Sequence, residues 1–268
     1  MAIVMTNEST LLLEAIRELA EYRRLDPAAA AFNVGNSFYA VNEQWRRAVD
    51  KGSDGDGRHC YRAPETAPEI MEHYRRCEPQ VEQQVFATYG IPGEIALRER
   101  ITRLAEPRRS VLDFGAGIGS QLLPLFAKGC VCTHADVGGV MMRYAAWRYH
   151  RVVFSRTSTR GPDVSLVELR DDYMERGVPE LSDKAFDLVI CTEVIEHVQE
   201  PEDLIARLAT WVKPGGLLVA TTSFDDGDGM VPMHLNITRY DDETFARDVV
   251  PKYGFARIED SVYRKSAT

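Results

Sequence analysis

The segment Val111-Leu-Asp-Phe-Gly-Ala-Gly-Ile-Gly-Ser120 constrains this chain more than any other. A short apolar run enters, without a spacer, a turn in which Gly115, Gly117 and Gly119 lack side chains. Glycines at that spacing let the backbone turn tightly and let a ligand lie against main chain that a Cβ would block. A buried strand is therefore expected at 111–114, with its C-terminal end opening on a binding site.

From Ser110 onward, strand-like runs alternate with helical stretches. Strands are expected at 111–114, 131–137, 164–169, 186–191 and 217–221, and helices at 121–128, 140–150 and 203–212. Pro214-Gly215-Gly216 supplies the turn before the fifth strand. Strands separated by helices need crossover connections, which place them parallel in a sheet covered on both faces. The expected class is therefore doubly wound, Rossmann-like α/β. Before residue 108 the pattern is helical: Leu12, Leu13, Ile16, Leu19 and Ala20 recur at three-to-four spacing, as do Ile95, Ile101 and Leu104. Asp26-Pro27 and the polar run at 50–58 interrupt it. This predicts two regions, a helical cap over 1–107 and a ligand-binding domain over 108–268. The aspartates at 50–58 and 225–229 lack the offsets of an EF-hand and read as solvated loops.

A chain of 268 residues, 44% of them hydrophobic, carries a large core, which excludes disordered and collagen-like classes. Thirty-two Lys+Arg against 41 Asp+Glu leave a net charge of -9, so the molecule as a whole repels polyanions and acidic membrane surfaces. A nucleic-acid role would need a local basic patch. Arg143, Arg148, Arg151, Arg156 and Arg160, interleaved with Tyr144, Trp147, Tyr149 and Phe154, fit either RNA or a phosphorylated ligand, or the solvated face of a helix; the solvated face is the expectation. No run approaches the roughly 18 apolar residues of a membrane span, and the first residues lack the features of a signal peptide. Cys60, Cys77, Cys130, Cys132 and Cys191 contain no Cys-x-x-Cys pair, which fits a reducing, cytoplasmic setting. Cys130 and Cys132 share one strand face and read as small apolar residues.

A dinucleotide site of the G-x-G-x-x-G type counted from Gly115 would place its third glycine at Ser120. The spacing present, with Asp113 ahead of it, resembles motif I of class I S-adenosylmethionine-dependent methyltransferases. Phe186-Asp-Leu-Val-Ile-Cys-Thr-Glu-Val-Ile-Glu-His-Val198, Trp211-Val-Lys-Pro-Gly-Gly-Leu-Leu-Val219 and His234-Leu-Asn-Ile-Thr-Arg-Tyr240 resemble later blocks of the ubiquinone-type and related small-molecule branch. The resemblance covers about residues 108–260 and implies a mostly parallel, seven-stranded sheet with helices on both faces. It implies S-adenosylmethionine as cofactor, with S-adenosylhomocysteine as product, held by Asp113, Gly115, Ala116, Gly117, Gly119, Asp136, Val137, Asp172, Thr192 and Glu193. In that reading Asp136 accepts hydrogen bonds from ribose hydroxyls, and Asp172, preferred over Asp171, approaches the adenine amino group.

On the acceptor side the resemblance points to Glu193, His197 and His234 as catalytic groups. Glu193-x-x-Glu196-His197 matches a pattern that some RNA 2′-O-methyltransferases use with a divalent metal; the alternative is that it caps a helix and packs the cofactor edge, and a metal is not the favoured reading. His234 fits a fourth metal ligand, a general base, a positioning group or a structural histidine. The aromatic and amide-rich run at 32–39, with Trp45, Tyr61, Tyr74 and Tyr89, reads as a cap that closes over a site or as core packing. The expected activity is methyl transfer to O, N or an activated carbon of a small molecule. The alternatives are a metal-assisted RNA 2′-O-methyltransferase and a non-catalytic cofactor-binding regulator; nucleic acid and membrane are not expected partners.

Overall fold

A computed structural model describes residues 7–41, 67–155, 164–224 and 240–267. Trp45, Cys60, Tyr61, Arg156, Arg160, His234 and the runs at 50–58 and 225–229 lie outside the described residues.

Strands β1 (Ser110–Phe114), β2 (Val131–Asp136), β3 (Val164–Glu168), β4 (Phe186–Thr192), β5 (Val212–Thr221), β6 (Phe255–Glu259) and β7 (Val262–Lys265) form one sheet in the order β3-β2-β1-β4-β5-β7-β6. The first five run parallel, and β7 is antiparallel to both β5 and β6. The chain therefore works outward from β1 through β2 to β3, then returns to β1's other side at β4. Such a reversal leaves a crevice beyond the C-terminal ends of β1 and β4, where open α/β sheets bind ligands. Both faces of the sheet are covered, as parallel strands require. Successive β1 residues enter different cores: Val111 packs with Leu122, Phe126, Leu188 and Ile190, while Leu112 and Phe114 pack with Val189, Leu208 and Trp211. Cys130 and Cys132 are buried free thiols in the first of these cores.

The Pro-Gly-Gly turn falls inside β5. Phe186 stands opposite Val212 but Leu188 stands opposite Leu217, so residues 213–216 bulge against a single residue of β4. The first hundred residues contribute α1 (Asn7–Arg23), α2 (Pro27–Gly35), α3 (Ala67–Arg76), α4 (Pro79–Gly90) and α5 (Pro92–Leu104). Proline occupies the first turn of α2, α4 and α5, where its missing N–H leaves no helical bond unmade. The break read at Asp26-Pro27 is thus a helix start, with the Asp26 carboxylate accepting from the Ala28 amide at 2.8 Å. Among the described residues no helix is long and apolar enough to cross a membrane.

These helices are not separated from the sheet region. After β1 come α6 (Leu122–Lys128) and α7 (Val140–Ser155), and Ile16, Leu19, Val81 and Val85 share a core with Ile118, Val140, Met141 and Tyr144 of the glycine turn and α7. On α7 Arg143 and Arg151 lie on a solvated face, as expected, whereas Arg148 is buried. Arg148, only 2% exposed, donates to the Ile118 carbonyl at 2.8 Å, to Ser120 Oγ at 3.1 Å and to the Tyr89 hydroxyl. It also pairs with Glu18 at 3.2 Å, while Arg151 pairs with Glu21 at 3.0 Å and Arg143 with Glu78 at 3.5 Å. The face is an attachment surface for α1 and α4 because those helices offer the matching carboxylates. Removing the cation strands buried acceptors, so Arg148→Met should destabilise the fold by about 3 kcal/mol in urea unfolding. A loss under about 1 kcal/mol would mean that Arg148 does not clamp the two regions together.

Candidate functional site

A cavity of about 350 Å³ opens at the C-terminal ends of β1, β2 and β4. Asp113, the glycine turn, Asp136 and Val137 form one side, and Thr192, Glu193, Glu196 and His197 another. Helices α3, α4 and α5 roof it with Met71, Tyr74, Gln80, Gln84, Thr88 and Glu94.

The turn's geometry follows from its glycines. Gly115 has φ +73°, and a Cβ there would fall 2.2 Å from Val194 Cγ2 on the β4 side, so the two strand ends can approach only around a bare backbone. The Asp136 carboxylate then ties the turn to β2: it accepts from the Gly117 amide at 2.6 Å and the Val137 amide at 2.7 Å. Those two donors offset only part of the burial cost, and the group is pushed up to about 6. Asp113 is also buried, its Oδ2 has no hydrogen-bond partner, and burial together with the Asp136 charge pushes it up to about 8.

After β4 the chain turns sharply. Glu193 adopts φ +54°, a left-handed conformation that costs a non-glycine residue on the order of 1 kcal/mol. Its amide donates to Thr221 Oγ1 at 3.2 Å, and its carboxylate accepts from Ser223 Oγ. Glu196, in the 3-10 turn Ile195–His197, is 0% exposed; no donor reaches either of its oxygens, and the Glu193 carboxyl is near enough to share a proton with it. His197 Nε2 stands 3.8 Å from its Oε1, beyond hydrogen-bond reach. Burial, with Glu193 next in weight, holds Glu196 well above the ordinary carboxylate range. The Tyr74 hydroxyl reaches across from α3 to within 3.3 Å of His197 Nε2. Glu94 faces this group from the first turn of α5, and burial followed by the Glu193 charge pushes it up to about 7.

Of the cofactor and catalytic residues singled out in the sequence, Asp113, Gly115, Ala116, Gly117, Asp136, Val137, Thr192, Glu193 and His197 meet at this cavity. Gly119 does not line it. A Cβ at Gly119 would fall 2.2 Å from the Tyr149 hydroxyl, so this glycine lets α7 pack against the turn. Asp172 is not in the lining either. Strand β3 ends at Glu168, which leaves Asp172 at the start of the short helix α8 (Tyr173–Arg176), paired with Arg176 at 3.0 Å. Asp171 instead binds Arg75 at 2.6 Å, and Arg75 Nε also donates to the Val137 carbonyl at 3.0 Å, so α3 is fastened to the ends of β2 and β3. Glu193 turns toward Ser223, and among the described residues no group of three His, Cys, Asp or Glu side chains is placed to hold a metal ion.

The sequence reading missed Gln80, Gln84, Thr88 and Glu94. A polar stripe at spacings of four on α4 was the available signal. Phe32, Phe38 and Tyr39 of the aromatic run at 32–39 are all exposed, and of the three only Phe38 lines the cavity.

A family model described as a methyltransferase domain matches residues 91–256, and the chain belongs to that family. It is 31% identical over 113 residues to a ubiquinone biosynthesis O-methyltransferase of Rickettsia akari (strain Hartford), covering 42% of this chain and 39% of that protein. The namesake from Alkalilimnicola ehrlichii is 32% identical over 117 residues, 42% of this chain and 41% of the relative. The chain thus spans about two fifths of the length of the curated relatives it matches. Among solved structures, phosphoethanolamine N-methyltransferase 2 of Haemonchus contortus in complex with S-adenosyl-L-methionine is similar in fold, with a TM-score of 0.51, 18% identity and coverage of 80% of this chain and 45% of that one. A Haloferax volcanii protein solved with the Trm112 methyltransferase activator matches with a TM-score of 0.51 and 18% identity over 71% of this chain and 78% of its own.

The buried carboxyls make the resting fold sensitive to pH. Asp113 titrates near 8 when folded and at about 3.9 when unfolded. Its contribution to stability is fully present below the unfolded value and is lost as pH rises through the folded one. Glu94 and Glu196 are shifted in the same sense. The ligand-free protein should therefore melt at higher temperature at pH 6 than at pH 9. Asp113→Asn should raise the pH 9 melting temperature by about 5 °C and flatten the profile; a profile unchanged by the substitution would show that Asp113 is ionised throughout.

Proposed function

We propose that this methyltransferase-domain protein binds S-adenosylmethionine between the glycine turn and the roof helices and transfers a methyl group to a small molecule. The observation that carries this reading is the pair of carboxyls at the ends of adjacent strands, Asp113 with an orphaned oxygen and Asp136 with lone pairs to spare, beside a turn of bare main chain. A carboxylate has about four acceptor positions, and Asp136 uses two of them within the protein. Ribose hydroxyls and an ammonium group supply the donors these acceptors lack, whereas the phosphates of a dinucleotide would meet negative charge.

In this reading Asp136 holds the ribose, Asp113 takes the ammonium directly or through water, and 115–117 with Val137, Thr192 and Glu193 frame the rest. When bound, S-adenosylmethionine supplies an electrophilic methyl group on a sulfonium. The chain's own contribution is orientation, exclusion of water by Met71 and Tyr74 on the roof, and proton handling at the acceptor. His197, within reach of the Tyr74 hydroxyl, and Glu193 are the acceptor-side groups on the turn after β4, and His234 is proposed to join them. The acceptor atom is O, N or an activated carbon; the relatives' name, ubiquinone biosynthesis O-methyltransferase, is one instance of the first. An RNA acceptor is not favoured, because the net charge is -9 and Arg143, Arg148 and Arg151 are paired with Glu78, Glu18 and Glu21. Buried free Cys77, Cys130, Cys132 and Cys191 support a reducing, cytoplasmic setting.

Calorimetry should find S-adenosylhomocysteine bound with a dissociation constant in the micromolar range, about 8 kcal/mol. Asp136→Ala should weaken it by about 1–3 kcal/mol, the cost of stranding polar groups. Binding of a nicotinamide dinucleotide in place of both sulfur ligands would sink the reading. We also propose that residues 1–107 act as a cap on this site rather than as an independent domain, since α3, α4 and α5 supply its roof. Hydrogen exchange should slow across α3 and α4 when S-adenosylhomocysteine binds; protection confined to residues beyond 108 would count against the cap.

A further inference from the structure

The described lining of the cavity contains five carboxyl groups, Glu94 on the roof and Asp113, Asp136, Glu193 and Glu196 at the strand ends, with neither lysine nor arginine among the lining residues. The buried lining atoms that lack a hydrogen-bond partner are all acceptors: Asp113 Oδ2, both Glu196 oxygens, and the amide oxygens of Gln80, Gln83 and Gln121. A glutamine amide can present its other end to a ligand. A carboxyl group that has lost its proton can only accept. Glu196 is the decisive case: it is 0% exposed, part of the cavity wall and reached by no donor on either oxygen, and the groups beside it are the Glu193 carboxyl, which helps to keep a proton on it, and His197 Nε2 at 3.8 Å.

While the space is empty burial keeps protons on Glu94, Asp113 and Glu196, and an occupant that brings cationic N–H donors lets them ionise and supplies the bonds they lack. The proposed cofactor, with a sulfonium and an ammonium against one carboxylate, carries a single net positive charge. Asp113 and Asp136 suffice to receive it. Glu94, Glu193 and Glu196 are left facing the acceptor space. We propose that the acceptor is a small molecule bearing a protonated amine, received between Glu94 on the roof and the Glu193–Glu196 turn on the floor, and that carboxylated or phosphorylated acceptors are excluded. This rests on the methyltransferase reading and adds to it the charge class of the substrate, with Glu94 as a specificity-determining residue. Glu94, pushed up to about 7, holds a proton for part of the time when the space is empty, and an arriving ammonium displaces it.

The test is calorimetry on the full chain at pH 7 with saturating S-adenosylhomocysteine. The probes are three matched series, arylethyl, alkyl and imidazolylethyl skeletons, each carrying an amine, an alcohol or a carboxylate. In at least one series the amine should bind about tenfold or more tighter than the alcohol, and no carboxylate should bind. Amine binding should release about half a proton from Glu94 and more where Glu196 also ionises, read from titrations in buffers of different ionisation enthalpy. Glu94→Gln should reduce the amine preference to within about threefold and lower the proton release. Should that variant fail to fold, the three series on the unaltered chain still decide the matter. An alcohol or carboxylate bound as tightly as its amine in every series, or no amine bound at all, overturns the proposal. Failure to bind S-adenosylhomocysteine is a separate outcome that overturns the methyltransferase reading beneath it.

Discussion

Asp136 is the group on which the geometry of the site depends. Its carboxylate joins the glycine turn after β1 to the end of β2 through the Gly117 and Val137 amides, at 2.6 and 2.7 Å. Two backbone donors are thereby satisfied, and the bare backbone of the turn is held open toward the cavity. On the other flank Val194 fills the space where a Cβ at Gly115 would lie. The turn is fixed from both sides, from β2 by hydrogen bonds and from the β4 loop by packing, so a ligand laid against it meets a preorganised surface.

The helices before β1 are attached by interactions of unequal strength. Arg148 is fully desolvated and bonded to Glu18, Tyr89, Ile118 and Ser120, whereas the Arg143–Glu78 and Arg151–Glu21 pairs are largely exposed and contribute at most about 1 kcal/mol each. Arg23 lies between these cases, pairing with Glu82, which is buried, and with Glu78, which is not. The firm anchorage therefore lies along α1, α4 and α7. At the rim, α3 is held by Arg75 to the exposed Asp171 and by Tyr74 to His197. Contacts of this kind are the ones that can break and re-form as a site fills.

Much of this was legible in the sequence, for identifiable reasons. Strands buried on both faces leave unbroken apolar runs, and Val111–Phe114 and Phe186–Cys191 are close to such runs. The glycine turn announced itself because only glycine tolerates its backbone. Asp172 falls outside the cavity lining because a strand's last residue is set by where its hydrogen bonds run out, and β3 stops at Glu168. The arginines of α7 resembled a surface patch because their partners, Glu18, Glu21 and Glu78, lie 65 to 130 residues away in sequence. The roof was hidden for a similar reason: Gln80, Gln84 and Glu94 become site residues only once α4 and α5 are laid across the strand ends.

The carboxyl cluster shows what this arrangement costs. Asp113 and Glu196 are buried with oxygens that no donor reaches, and Glu193 is held in a left-handed conformation beside them. A chain optimised for stability alone would replace such groups with apolar or paired ones. Protonation lowers the penalty while the cavity is empty, which is why the shifts at Asp113, Glu94 and Glu196 all run upward. That remedy is incomplete, since a neutral carboxyl in an apolar wall still lacks the hydrogen bonds it had in water. The remaining deficit is localised at the end of β1, on the turn after β4 and at one helix end. It can be recovered in binding energy by any occupant that brings the missing donors, and the size of that recovery differs most between cations and anions, the distinction on which recognition in such a cavity would turn.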